Sequence, residues 1–172
     1  EVNRVVSSTP RDSFESVDKI KGLCERWNEA AEVAEEFELE LGVHNHWWEF
    51  SQVEGRSAFD IMLEEMNENI FFQIDTYWVN TGGGKAETVV ESLGERAPLL
   101  HIKDGPCTPD GDMVAVGEGE MEFAPIIEAS HGASDWLIVE LDRCATDMME
   151  AVEKSYQYLV SQGLGRGANT VD

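Results

Sequence analysis

Four apolar runs, each closed by residues that bind metals or carry protons, constrain what this chain can fold into more than any other feature. Residues 39–43 are followed by His44, His46 and Glu49, and residues 70–74 by Asp75. Residues 99–100 are followed by His101, Lys103 and Asp104, and residues 136–139 by Glu140 and Asp142. Helical patterns separate the runs. In βα-repeat proteins the C-terminal ends of parallel strands converge on one face, and active sites are assembled there. One carboxylate after a strand says little, but four such clusters in succession point to a metal-centred enzyme.

The intervening segments support that arrangement. Asp12-Ser13-Phe14-Glu15 offers a capping box, and Val17, Ile20, Leu23, Trp27, Ala30, Ala31 and Ala34 keep a helical period to about Phe37. A second helix is expected from Ser57, with Ile61, Met62, Leu63 and Met66 apolar. The run 70–74 is almost continuously apolar, as in a strand covered on both faces. Gly82, Gly83 and Gly84 turn the chain into a third helix over 86–93. Residues 105–119, rich in glycine and holding two prolines, read as a long loop over the site. Helices over 123–130 and 146–161 flank the last strand, and Gly163 ends the final one. Such alternation predicts a parallel α/β sheet with right-handed crossovers. Four strands are clear, and residues 4–7 read as the remnant of a fifth. A closed (β/α)8 barrel needs eight strands and about 250 residues. The expectation is therefore the C-terminal half to two-thirds of a TIM barrel, four to five βα units, with a domain over 1–163 and a tail over 164–172.

Charge excludes several functions. Twelve Lys and Arg against 35 Asp and Glu give −23, which repels nucleic acid and anionic membrane. The acids are spread along the helices (Glu32, Glu35, Glu36; Glu64, Glu65, Glu68), and the surface reads as adapted to high salt, hence a halophilic source. No apolar run is long enough to span a bilayer, and residues 1–4 lack signal-peptide character. Cys24, Cys107 and Cys144 form no CxxC, as expected of inert thiols in a reduced, cytoplasmic protein.

The segment Gly42-Val43-His44-Asn45-His46-Trp47-Trp48-Glu49-Phe50 resembles the HNH-x-x-EF signature of the sugar phosphate isomerase/epimerase family, within the xylose isomerase-like TIM barrels. The resemblance continues through Asp75-Thr76-Tyr77-Trp78, Leu100-His101-Ile102-Lys103-Asp104, Val116-Gly117-Glu118-Gly119 and Ile138-Val139-Glu140-Leu141-Asp142. It implies one divalent ion, manganese first, with cobalt, magnesium or zinc as alternatives. The implied ligands are Glu49, Asp75, His101 and Glu140, although related epimerases place a Glu near the position of His44. It also implies proton abstraction α to a carbonyl through a metal-held enediolate, with Glu140 and Glu49 as the acid–base pair. His44, His46, Trp78, Lys103 and Asp142 are the expected contacts to a small sugar or polyol. Trp78 and Cys107 stand where some epimerases carry His and Arg, which counts against ketohexose 3-epimerase activity. Two alternatives stay open: an inosose- or dehydroshikimate-type dehydratase on the same scaffold, and a non-catalytic barrel remnant. A partial barrel would expose sheet edges that a homodimer could cover.

Overall fold

The computed structural model describes residues 3–167. Five parallel strands form one sheet: β1 (Arg4–Ser8), β2 (Glu40–His44), β3 (Phe71–Asp75), β4 (Leu99–Ile102) and β5 (Trp136–Val139). Their spatial order is their order in the chain. Doubly wound sheets reverse strand order at a switch point; this sheet never does, so it is wound in one direction, as in a barrel. Residues 4–7 thus open a complete strand that pairs with β2 from Arg4↔Glu40 to Ser8↔His44.

The sheet is strongly curved. Flat, five strands would hold their edges roughly 19 Å apart. Yet Arg4 on β1 donates from Nη1 to Oδ2 of Asp135, the residue before β5, at 2.6 Å. The N-terminal ends of the two edge strands are therefore drawn to within the combined reach of these two side chains. Among the described residues the outer edges of β1 and β5 are unpaired, and Trp136 on β5 is 67% exposed. Within the sheet, Gly42 is paired with Phe71, whose ring lies where any Cβ on Gly42 would sit.

Helices α1 (Val17–Glu36), α2 (Ala58–Glu65), α3 (Thr76–Thr81), α4 (Ala86–Leu93), α5 (Phe123–Ala129) and α6 (Met148–Ser161) connect and follow the strands. Ile20, Leu23, Cys24, Trp27 and Ala31 are the buried face of α1, which packs on α2 and β2. Its cap is Ser16, whose side chain accepts the Lys19 N–H. The expected box at Asp12–Glu15 is instead a 3-10 turn, Arg11–Phe14, closed by the Ser13 N–H on Pro10 O; it drives Phe14 into the core. Ser57 caps α2 as the sequence suggests, and α3 is an additional helix. A short antiparallel hairpin pairs Gln52–Val53 with Arg56–Ser57. After α6 the Leu164 and Gly165 N–H groups bond back to Leu159 O; residues 168–172 of the expected tail lie outside the described residues. No helix among the described residues is long and apolar enough to cross a membrane.

Candidate metal centre

The end of β3 anchors the site. Asp75 is fully buried and caps α3, its Oδ1 accepting the Trp78 N–H at 2.9 Å. Asn45, on the turn after β2, holds the same residue by its backbone. Its Oδ1 accepts the Asp75 N–H at 2.9 Å and its Nδ2 donates to Asp75 O at 3.2 Å. Thr76 Oγ1 donates to His101 O at 2.9 Å, tying β3 to β4. Asp75 and His101 are register partners, as are His101 and Ile138, so Glu140 stands two residues beyond that row, at the end of β5.

Four donors converge there: His44, Asp75, His101 and Glu140 offer ligand atoms that all lie within 4.8 Å of one another. His44 comes from β2, Asp75 from β3, His101 from β4 and Glu140 from the end of β5. His44 Nδ1 is buried without a hydrogen-bond partner, and so is Asp75 Oδ2, which lies 3.0 Å from Lys103 Nζ and 3.9 Å from His101 Nδ1. Enclosed donor atoms left without hydrogen bonds suit a cation. Two imidazoles and two carboxylates fit a divalent ion such as zinc or manganese.

Glu49 lies outside this group. It is fully buried, accepts the Thr9 hydroxyl and takes the His46 N–H on Oε2 at 2.9 Å, so its carboxylate is used in closing its own turn onto β1. His46 stacks on Trp48 with ring centroids 4.0 Å apart, and its Nδ1 is 3.7 Å from Glu49 Oε1. Trp78 is 3% exposed, packed against Trp47 and facing the Lys103 ammonium at 5.3 Å. A cleft of about 700 Å³ lies beside Trp47 and Trp48, with Arg11, Thr81 and Gly82 in its wall.

Lys103 is the least expected feature. Only 1% exposed, its Nζ meets Asp75 Oδ2 at 3.0 Å, Glu140 Oε2 at 2.8 Å and Asp142 Oδ2 at 2.7 Å. Burial opposes its charge, but the three carboxylates outweigh burial and hold the ammonium above the ordinary lysine range. Burial pushes Asp75 up to about 6, against the pull of Lys103. The hydrogen bond with His101 takes Glu140 down to about 2, with Lys103 assisting against burial. Burial, then His101 and His46, lower His44 to about 4, leaving a neutral imidazole whose lone pair is free at pH 7. The cysteines are free thiols, and burial raises Cys24 to about 12 and Cys107 to about 11.

Two further residues shape the site. Asn45 was legible only as the middle of an alternating His-Asn-His, where strand geometry turns it away from its neighbours. Asp104, fully buried, accepts four backbone N–H groups, from Gly105, Gly117, Gly119 and Met121, and so fastens the loop after β4. A Cβ on Gly119 would fall on that carboxylate.

A family model described as xylose isomerase-like TIM barrel matches residues 2–161. A sugar phosphate isomerase/epimerase from Parabacteroides distasonis superposes with a TM-score of 0.82 at 27% identity, over 96% of this chain and 59% of that one. A second sugar phosphate isomerase/epimerase from the same organism gives 0.81 at 22% identity, over 94% and 60%. The structure of an IOLI protein with a bound zinc atom gives 0.62 at 20% identity, over 93% and 62%. The chain thus spans about three fifths of the length of these structures. No curated protein matches it.

Proposed function

The chain belongs to the xylose isomerase-like TIM barrel family, and from that premise we propose a divalent-metal-dependent isomerase or epimerase acting on a small sugar or polyol. One observation carries the reading: His44, Asp75, His101 and Glu140 bring their ligand atoms within 4.8 Å of one another from four successive strand ends. The 27% identical sugar phosphate isomerase/epimerase supports the substrate class, and the zinc-bound relative supports the ion, for which manganese remains our first choice. His44 takes the place expected of Glu49.

A divalent ion held by these four side chains would offset the negative charge that develops on substrate oxygens when a proton leaves the neighbouring carbon. Glu140 is the proton acceptor in this reading. Its side chain is 40% exposed, so a substrate can reach it, while His101 and Lys103 keep it ionised. Asp75 stays enclosed and binds. Glu49 holds the turn that carries His46 and Trp48, whose rings stack, and Trp48 with Trp47 lines the cleft. The acidic surface supports a cytoplasm rich in salt.

Solvent-deuterium incorporation into candidate ketoses and inososes tests this, at saturating manganese. Wild type should exchange one carbon-bound proton; Glu140→Gln should lose more than the ~10²–10⁴-fold of a general base, because a ligand charge goes too. Loss of water from the substrate would favour the dehydratase. Tight metal binding with no exchange on any substrate would defeat the enzyme reading and leave the non-catalytic remnant. Solution mass separates a monomer from a dimer that covers the open edges of β1 and β5.

A further inference from the structure

Lys103 places a positive charge on two of the carboxylates that a metal ion would use. Its Nζ sits 3.0 Å from Asp75 Oδ2 and 2.8 Å from Glu140 Oε2. The other oxygen of Asp75, Oδ1, already accepts the Trp78 N–H. The third contact, to Asp142 Oδ2 at 2.7 Å, is the shortest and involves a residue outside the four-donor group. Trp78 backs the ammonium with its ring face at 5.3 Å, and the lysine side chain is 1% exposed.

We infer that Lys103 is a tethered counter-ion competing with the metal for Asp75 and Glu140, and that Asp142 is the acceptor that retains the ammonium when a metal arrives. The inference rests on the metal reading above. Two cations on one oxygen repel strongly in a partly desolvated site, so affinity depends on where the ammonium is held. Lys103 and Asp142 are then positioning residues that set how tightly the ion binds. Without Lys103 the donor set carries an uncompensated negative charge and takes an ion more readily. Without Asp142 the ammonium depends on Asp75 and Glu140 alone and resists the ion.

The experiment is manganese and zinc titration by calorimetry on the full chain, for wild type, Lys103→Met, Asp142→Asn and the double variant, with circular dichroism as a fold control. Lys103→Met should tighten binding by about tenfold or more, and Asp142→Asn should weaken it by roughly three- to tenfold. The decisive comparison is coupling: in the Lys103→Met background, Asp142→Asn should have almost no effect. Equal weakening in both backgrounds would mean that Asp142 acts only as a distant charge, and would overturn its role. Binding by Lys103→Met no tighter than wild type would overturn the competition. Should that variant fail to fold, the double variant, which removes one charge of each sign, must still bind more tightly than Asp142→Asn alone; otherwise the inference falls. Binding by neither wild type nor any variant would remove the metal reading itself, whereas binding by wild type with no gain on losing Lys103 removes only this inference.

Discussion

Replacing Asp104 with asparagine isolates what one buried carboxylate contributes to the loop over the site. Oδ1 accepts the Gly105 and Met121 N–H groups at 2.8 and 3.0 Å, and Oδ2 accepts those of Gly117 and Gly119 at 2.8 and 3.0 Å. Asparagine has one carbonyl oxygen. Whichever way its amide turns, the NH2 group faces two N–H donors, so two bonds are lost and two donors stranded. Each stranded donor costs about 1–3 kcal/mol when buried. The Gly117 and Gly119 contacts are the more open pair, so the amide should turn its NH2 toward them. That puts the loss in the lower half of the range, ~2–4 kcal/mol. For a domain of this size it corresponds to a fall in Tm of roughly 5–15 °C. Urea unfolding should show a lower midpoint at unchanged slope, and amide exchange should accelerate across residues 105–121 ahead of the sheet. Asp104→Ala, which removes all four acceptor contacts, should lose more. A loss below about 1 kcal/mol with the loop amides still protected would refute the argument, because water would then be satisfying donors that the fold assigns to Asp104.

Manganese affinity should be flat above about pH 7 and weaken as pH falls through about 6, where Asp75 takes up a proton and stops binding the ion; His44, lowered to about 4, charges only later. Titration at four pH values checks this, and constant affinity down to pH 5 would contradict it. Asn45→Ala removes both contacts to the Asp75 backbone and should weaken metal binding by about 10–100-fold, as loss of a residue supporting a ligand does; an unchanged dissociation constant would show that β3 holds Asp75 unaided. Raising KCl from ~0.1 to ~3 M should raise the thermal midpoint, since screening shortens to roughly 3 Å at 1 M and the chain carries −23. A flat or falling midpoint would count against the high-salt reading.

The strand ends could be read from the chain because parallel strands buried on both faces are nearly continuous apolar runs, and Phe71–Asp75 is one. Asp75, His101 and Glu140 close such runs, and the fold groups them. Glu49 and His44 could not be separated from sequence. The choice depends on a 3-10 turn, Trp48–Phe50, that draws Glu49 toward Thr9, a residue 40 positions away. Helix α3 was missed because Thr76-Tyr77-Trp78-Val79 favours a strand by propensity, and only the Asp75 cap starts it. Lys103 sits two residues after His101, and alternation puts both on one side of the strand. That three carboxylates meet its ammonium depends on β3 and β5 flanking β4, an adjacency that no local pattern encodes.

The curvature of the sheet bears on the order of assembly. Every strand pairs with its neighbour in sequence, whereas Arg4 and Asp135 lie 131 residues apart. Closing so long a loop in an unstructured chain costs roughly 4 kcal/mol in entropy. An ion pair as open to solvent as this one returns about 0–1 kcal/mol. The clasp therefore cannot draw the ends of the sheet together during folding. It forms once twist and helix packing have delivered them, which makes it a marker of the last stage of closure and not its cause.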